Sequence, residues 1–281
     1  MTNIETIDAD WMRAHPLPEP GDEGKHGRGQ VLVVGGGAEL AGAAMLAGVA
    51  ALRAGAGKLQ VAVAREAVAP LSVALPEARI LALQGDQADT AAGLVMEHAA
   101  RCDALLIGPG MMDDGAGLAA ALLALETRDP VVVDAGALVA VPAARRQPNL
   151  VLTPNAGEMA RLLDMDKGAV DADPLAAGRQ AARRFEALVV MKGASTFVVS
   201  PQGRAGRYAG GGPGLGVSGS GDVLGGLITG LLARGATPFQ AAAWGVYLHG
   251  EAGARLAANL GKLGFLAREI ADQVPPILSS F

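Results

Sequence analysis

Cysteine is nearly absent from this sequence. Its one cysteine, Cys102, cannot form an internal disulfide, and four scattered histidines give it no partners for a Cys-rich zinc site. A reducing, cytoplasmic setting is expected. Basic residues are also few, 23 Lys and Arg against 28 Asp and Glu for a formal net charge of −5. With no Lys/Arg block to form a phosphate-backbone footprint, nucleic acid is not an expected partner. Long apolar runs are missing too: the longest, Ala41 to Leu52, stops at Arg53, well short of the roughly 20 residues that cross a bilayer. No membrane association is expected. Residues 1–10 are acidic where a signal peptide needs a basic region followed by an apolar run, so no export signal is read there. Aromatic residues make up only 3% of the chain, yet hydrophobic residues reach 51% and charged ones only 18%. Such a chain can bury a full core, which excludes a disordered adaptor.

Residues 1–29 are polar and rich in Pro and Gly and read as an N-terminal extension, with a single catalytic domain over 30–281. From Gln30 onward, short β-branched runs alternate with Ala/Leu-rich stretches of helical length. Strands are predicted at Gln30–Val34, Lys58–Ala64, Arg79–Leu83, Asp103–Ile107, Pro130–Asp134, Asn149–Leu152, Ala187–Met191 and Thr196–Ser200. Several are apolar at every position, the mark of strands buried on both faces. Helices are predicted at Glu39–Ala54, Thr90–Arg101, Ala116–Glu126, Gly157–Leu163 and Asp173–Phe185, and then consecutively at Gly221–Ala233, Pro238–Asn259 and Leu266–Val274. This alternation predicts a three-layer α/β/α fold with a mostly parallel central sheet. Ligands in such folds sit beyond the carboxyl ends of the strands.

Common cofactor motifs fail. G-x-G-x-x-G starting at Gly35 meets Leu40 where glycine should stand, and no acid follows about 20 residues later to hold a ribose. Gly37 and Gly42 have Walker A spacing, but Ala43-Ala44 replaces the Lys-Ser/Thr pair. Gly216 to Ser220 lacks the last glycine of a nucleophile elbow, and the adjacent Asp113-Asp114 earns no role. His98, on a solvated helix, and His249, on a largely apolar one, read as structural.

The strongest local signal is the run Gly211 to Asp222, which opens directly onto Val223 to Leu232, where Leu224, Leu227, Ile228, Leu231 and Leu232 keep helical spacing. Unpaired N–H groups and the positive end of the helix dipole fall at Ser220–Asp222, which makes an anion site. Asp222 alone reads as an N-cap, whereas an Asp behind such a glycine run reads as a base beside a phosphate cradle.

These residues resemble the ADP/ATP-dependent NAD(P)H-hydrate dehydratases of the ribokinase-like superfamily, from about Lys25 to Leu256. The most specific stretch is Gly214-Leu215, Gly219-Ser220-Gly221-Asp222-Val223-Leu224, Gly230 to Gly235 and Tyr247-Leu248-His249-Gly250. Supporting it are Gly27-Arg28, Gly42-Ala43-Ala44, Leu52 to Gly57, Ile107 to Gly110, Thr153-Pro154 with Gly157-Glu158, and Lys192 to Thr196. The resemblance implies a ribokinase-like fold and a lyase that uses ADP or ATP, with Mg²⁺, to phosphorylate the C6 hydroxyl of hydrated NADH or NADPH and then eliminate phosphate. Asp222 would take the hydroxyl proton. Lys192, Gly193, Ala194, Ser195, Thr196, Gly219, Ser220 and Gly221 would bind the nucleotide, and Ala43, Gly110, Asn155 and Asp222 the substrate. Bacterial members of the group imply a homo-oligomer. Three places depart from the family pattern. Asn155-Ala156 stands for the usual His-Pro, Gly136 for the second Asp of Asp-Ala-Asp, and Val217-Ser218 for Thr-Gly. Asn155-x-x-Glu158 is similar to a motif of the superfamily's small-molecule kinases, in which the Glu helps organise Mg²⁺. A kinase of a hydroxymethylpyrimidine or thiazole alcohol is therefore the alternative, and a non-catalytic nucleotide sensor is a third reading.

Overall fold

β-branched runs buried on both faces build the centre of the molecule. The computed structural model describes residues 4–19, 24–25, 27–83, 88–112, 115–124, 129–143 and 149–281. Its first half runs β1 (Ile4–Thr6), α1 (Ala9–Ala14), β2 (Gln30–Val34), α2 (Ala41–Arg53), β3 (Lys58–Ala64), α3 (Val68–Ala74), β4 (Ala78–Leu83), α4 (Ala88–Ala99), β5 (Ala104–Ile107) and α5 (Ala116–Ala124). Then follow β6 (Val131–Val133), β7 (Leu150–Leu152), α6 (Ala156–Leu163), α7 (Lys167–Ala172), α8 (Pro174–Phe185), β8 (Leu188–Met191), β9 (Thr196–Val199) and β10 (Ala205–Tyr208). Four helices close the chain: α9 (Ser220–Ala233), α10 (Pro238–Asn259), α11 (Ala267–Asp272) and α12 (Val274–Leu278). Asp113-Asp114 lies outside the described residues, as does the end of the helix predicted to reach Glu126. No described helix is long and apolar enough to cross a membrane.

One ten-stranded sheet has the order β1-β10-β9-β8-β7-β6-β5-β2-β3-β4, and only β9 runs against the rest. Successive strand residues feed opposite cores. Val31, Val33, Leu106 and Val132 face the side covered by α2, α9, α10 and α11, while Leu32, Val34, Ile107 and Val133 face the side of α4, α5, α6 and α8. This is the predicted three-layer α/β/α arrangement. α9 lies tightly on α2 because Gly226 and Gly230 carry no side chain. A Cβ on either would fall 2.1 Å from Ala47 O or 2.5 Å from Ala51 O.

The first residues do more than the expected extension would. β1 pairs in parallel with β10, Trp11 and Met12 are buried, and the Trp244 indole donates to the His15 carbonyl at 2.8 Å. Glu5 accepts two bonds from Arg204, at 2.6 and 2.9 Å, and one from the Trp11 indole at 2.7 Å. The helix predicted over Leu266–Val274 is α11, and a further short helix that was not predicted, α12, follows it with Pro275-Pro276 in its first turn, where missing N–H groups cost nothing.

The chain adds β3 and β4 to one side of β2, then returns to place β5 on the other. The carboxyl ends of β2 and β5 therefore form the topological switch point, where open α/β sheets hold ligands. There the Gly36 and Gly37 N–H groups donate to Pro109 O and Gly110 O at 2.7 and 3.0 Å.

Candidate active site

The neighbouring carboxyl ends of β6, β7 and β8 deliver Asp134, Thr153 and Lys192. Asp134 is buried, and its Oδ1 accepts from the Thr153 hydroxyl at 2.7 Å and from Lys192 Nζ at 2.9 Å. Lys192 Nζ also lies 3.7 Å from Glu158 Oε2. Burial by itself would lower the lysine's pKa, but attraction to Asp134 and Glu158 outweighs it and holds the ammonium above its usual value. Glu158 is fixed in turn by a capping box at the start of α6. The Asn155 N–H donates to Glu158 Oε2 at 2.7 Å, and the Glu158 N–H donates to Asn155 Oδ1 at 2.9 Å.

Facing this cluster is the first turn of α9. Gly219 caps the helix at φ +90°, a conformation that favours glycine, and a Cβ there would meet Leu46 Cδ1 at 2.6 Å. The helix predicted from Gly221 starts one residue earlier, at Ser220, so Gly219 is its cap and Asp222 its third residue. Its carboxyl titrates near 6, raised first by burial and then by Asp134, against the pull of Lys192. Gly221 brings the turn onto the cluster, since a Cβ there would stand 3.3 Å from Lys192 Nζ and 3.9 Å from Asp134 Oδ2.

A cavity of about 740 Å³ opens at this turn. Of the residues predicted to bind nucleotide, Lys192, Gly193, Ala194, Thr196, Ser220 and Gly221 line it, and Asn155 joins them. Ser195 instead accepts from the Arg207 guanidinium at 3.0 and 3.3 Å, and Gly219 lies beneath the turn against Leu46. Asp222 is not among the lining residues. Ala43 and Gly110 meet at the switch point, where a Cβ on Gly110 would be 3.1 Å from the Ala43 Cβ. The predicted residues thus fall in two places, joined by α2, which carries both Ala43 and Leu46.

Asp134, Tyr208 and His249 were not read as site residues. His249 also needs a correction, because its Nε2 lies 2.8 Å from Ser220 Oγ and the ring lines the cavity. The available signals were an acid closing an all-valine strand and a lone histidine in an apolar helix.

No group of three or more metal-binding side chains occurs among the described residues. Lys192 already bridges Asp134 and Glu158. Such a donor set fits a magnesium ion held mainly by phosphates, the usual magnesium habit, better than a protein cage.

The family model described as NAD(P)H-hydrate dehydratase matches residues 31–276. The chain is 47% identical over 279 residues to the ADP-dependent (S)-NAD(P)H-hydrate dehydratase of Xanthomonas campestris, covering 98% of this chain and 96% of that protein. It is 34% identical to the bifunctional NAD(P)H-hydrate repair enzyme of Escherichia coli, of which it spans about half the length, 53%. Among solved structures, the ADP/ATP-dependent NAD(P)H-hydrate dehydratase of Bacillus subtilis co-crystallised with ATP/Mg²⁺ superimposes with a TM-score of 0.83 at 26% identity, covering 100% of this chain and 99% of that one.

Proposed function

The chain belongs to the NAD(P)H-hydrate dehydratase family, and we propose that it returns hydrated NADH and NADPH to their dihydropyridine form at the expense of ADP or ATP. One observation carries this reading into the site. Asp222 stands in the first turn of α9 with its pKa raised to about 6, next to Gly221, on which a Cβ would stand 3.3 Å from Lys192 Nζ.

At neutral pH the Asp222 carboxyl is mostly ionised and so can accept a proton. It takes the proton of the C6 hydroxyl as that oxygen attacks the terminal phosphorus of the nucleotide, whose bond to the bridging oxygen breaks to release AMP from ADP or ADP from ATP, and general-base help of this kind contributes about 10²–10⁴-fold. Lys192 and the Gly221 amide stabilise the charge that develops on the transferred group, since phosphoryl transfer depends chiefly on positioning and neutralisation. The C6–O bond then breaks with its electron pair leaving on phosphate, and loss of a C5 proton restores the ring double bond. Magnesium, when bound with the nucleotide, would neutralise phosphate charge, with Glu158 as the carboxylate that would help hold it. The hydrated ring would lie toward Ala43 and Gly110, at the switch point where such sheets hold ligands. A reducing cytoplasmic setting suits the buried thiol of Cys102, and a homo-oligomer is the assembly to look for by light scattering.

The test adds purified protein to hydrated NADH or NADPH with ADP or ATP and Mg²⁺, and follows the returning dihydropyridine absorbance. Recovery that requires nucleotide supports the reading. Absence of recovery with either nucleotide, alongside phosphorylation of a pyrimidine or thiazole alcohol, would replace it with the kinase alternative.

A further inference from the structure

His249 sits midway along α10 among buried apolar neighbours, including Trp244, Val246 and Leu248. A polar ring in such surroundings is costly unless it is hydrogen-bonded. Its partner is Ser220, the residue that opens α9. Nε2 lies 2.8 Å from Ser220 Oγ and 3.1 Å from the Ser220 backbone oxygen. A carbonyl oxygen only accepts, so an Nε2 this close must carry a hydrogen, which the two Ser220 oxygens share. Burial, opposed by the bond to the Ser220 backbone and aided by Lys192, lowers the His249 pKa to about 4, so the ring is neutral. With Nε2–H as donor, the Ser220 hydroxyl accepts from the histidine and keeps its own hydrogen to give. Both residues line the cavity beside Lys192 and Gly221.

We infer that His249 is a positioning residue that holds Ser220 as a side-chain donor to an anionic phosphate oxygen in the cavity. The hydroxyl adds to the Gly221 backbone N–H. This rests on the nucleotide reading of the cavity, and its test separates the two.

Calorimetric titration with ADP comes first on the parent protein. If the parent binds neither ADP nor ATP, the nucleotide reading falls and the phosphate-donor role falls with it. If the parent binds, Ser220→Ala and His249→Leu are each expected to raise the ADP Kd about 10-fold, equivalent to about 1.4 kcal/mol and in line with a hydrogen bond to a charged group. The double variant is expected to be no worse than either single one, as for two residues acting through one contact. His249→Gln, whose amide can donate from near the Nε2 position, is expected to return the Kd to within about threefold of the parent, and KM for the hydrate is expected to change less than about twofold in all variants. Nitrogen-15 shifts of the histidine rings in the unliganded protein should place the His249 hydrogen on Nε2. Parental affinity in Ser220→Ala, additive losses in the double variant, or a hydrogen on Nδ1 would each overturn the inference while leaving nucleotide binding intact. Should His249→Leu fail to fold, Ser220→Ala and the ring shifts decide it.

Discussion

The two halves of the site are made differently. At the first turn of α9, side chains do the work, and several have more than one partner: Asp134 holds Thr153 and Lys192, Lys192 also faces Glu158, and Ser220 bonds His249. At the switch point the wall is mostly backbone and small residues, with Gly36, Gly37, Pro109 and Gly110 in direct contact and Ala43 against them. The charged half has enough interlocked groups to set protonation states. The small-residue half can set only shape. Substitutions in the first half should therefore change chemistry and charge, and those in the second should change mainly which molecule fits.

The largest effect is expected at Asp222. Asp222→Asn keeps the size and removes the base, so hydrate turnover should fall about 10²–10⁴-fold while ADP still binds. Stability should move the other way. A carboxyl raised to about 6 favours the folded state while protonated, and loses that contribution as pH rises through about 6. The ionised group is thus a cost at pH 7, which the amide relieves. The expected result is an unchanged or higher Tm in the unliganded variant, and near-parental turnover would remove Asp222 as the base.

Next in size is Lys192→Met, which strands the buried Asp134 carboxylate without its ammonium partner. Removing one member of a buried pair costs about 3–5 kcal/mol, and denaturant unfolding should report that loss together with absent ADP binding. Adding Asp134→Asn to Lys192→Met removes the stranded charge and should recover much of the stability but none of the nucleotide affinity. If Lys192→Met alone were as stable as the parent, the interlocked description of this half would be wrong.

A milder perturbation uses pH alone. With Asp222 as base, kcat/KM for the hydrate should fall about tenfold per unit below pH 6, since that profile reports groups of the free enzyme. His249, lowered to about 4, should contribute no limb between pH 5 and 8. A profile flat down to pH 5 would contradict the burial assigned to Asp222.

How much of this was legible beforehand follows the same division. Gly219 to Asp222 could be read because its chemistry is local, a glycine loop running straight into an apolar helix. The strands β2 and β3, with runs of buried apolar residues, were placed residue for residue. β1 and β10 were not, because three- and four-residue strands containing Glu5 or Gly206 draw their pairing from each other and from β9, not from their own pattern. The role of Asp134 depends on Lys192, 58 positions away, and that of His249 on Ser220, 29 positions away. No periodicity or spacing rule carries such pairings. Asp222 was legible as a site residue, and its helix was placed within one residue, from Gly221 where α9 begins at Ser220.

The smallest expected effect lies at Asn155, in the charged half. Its side chain caps α6 and fixes Glu158, yet it also lines the cavity. Asn155→Ala removes the cap and should cost about 1 kcal/mol, a drop of about 2–4 °C in Tm for a chain of this size. Asn155→Ser restores a capping oxygen and should recover nearly all of that loss. Neither variant retains the amide. If Asn155 touches the hydrate directly, both should raise its KM by a similar few-fold factor with kcat little changed, because only ground-state and transition-state binding in common has been lost. If Asn155 acts only by holding Glu158 near Lys192, Ala alone should raise the KM for ADP and Ser should restore it. Equal hydrate KM values in parent, Ala and Ser proteins would take Asn155 out of the substrate wall and leave it as the cap that orders the charged half.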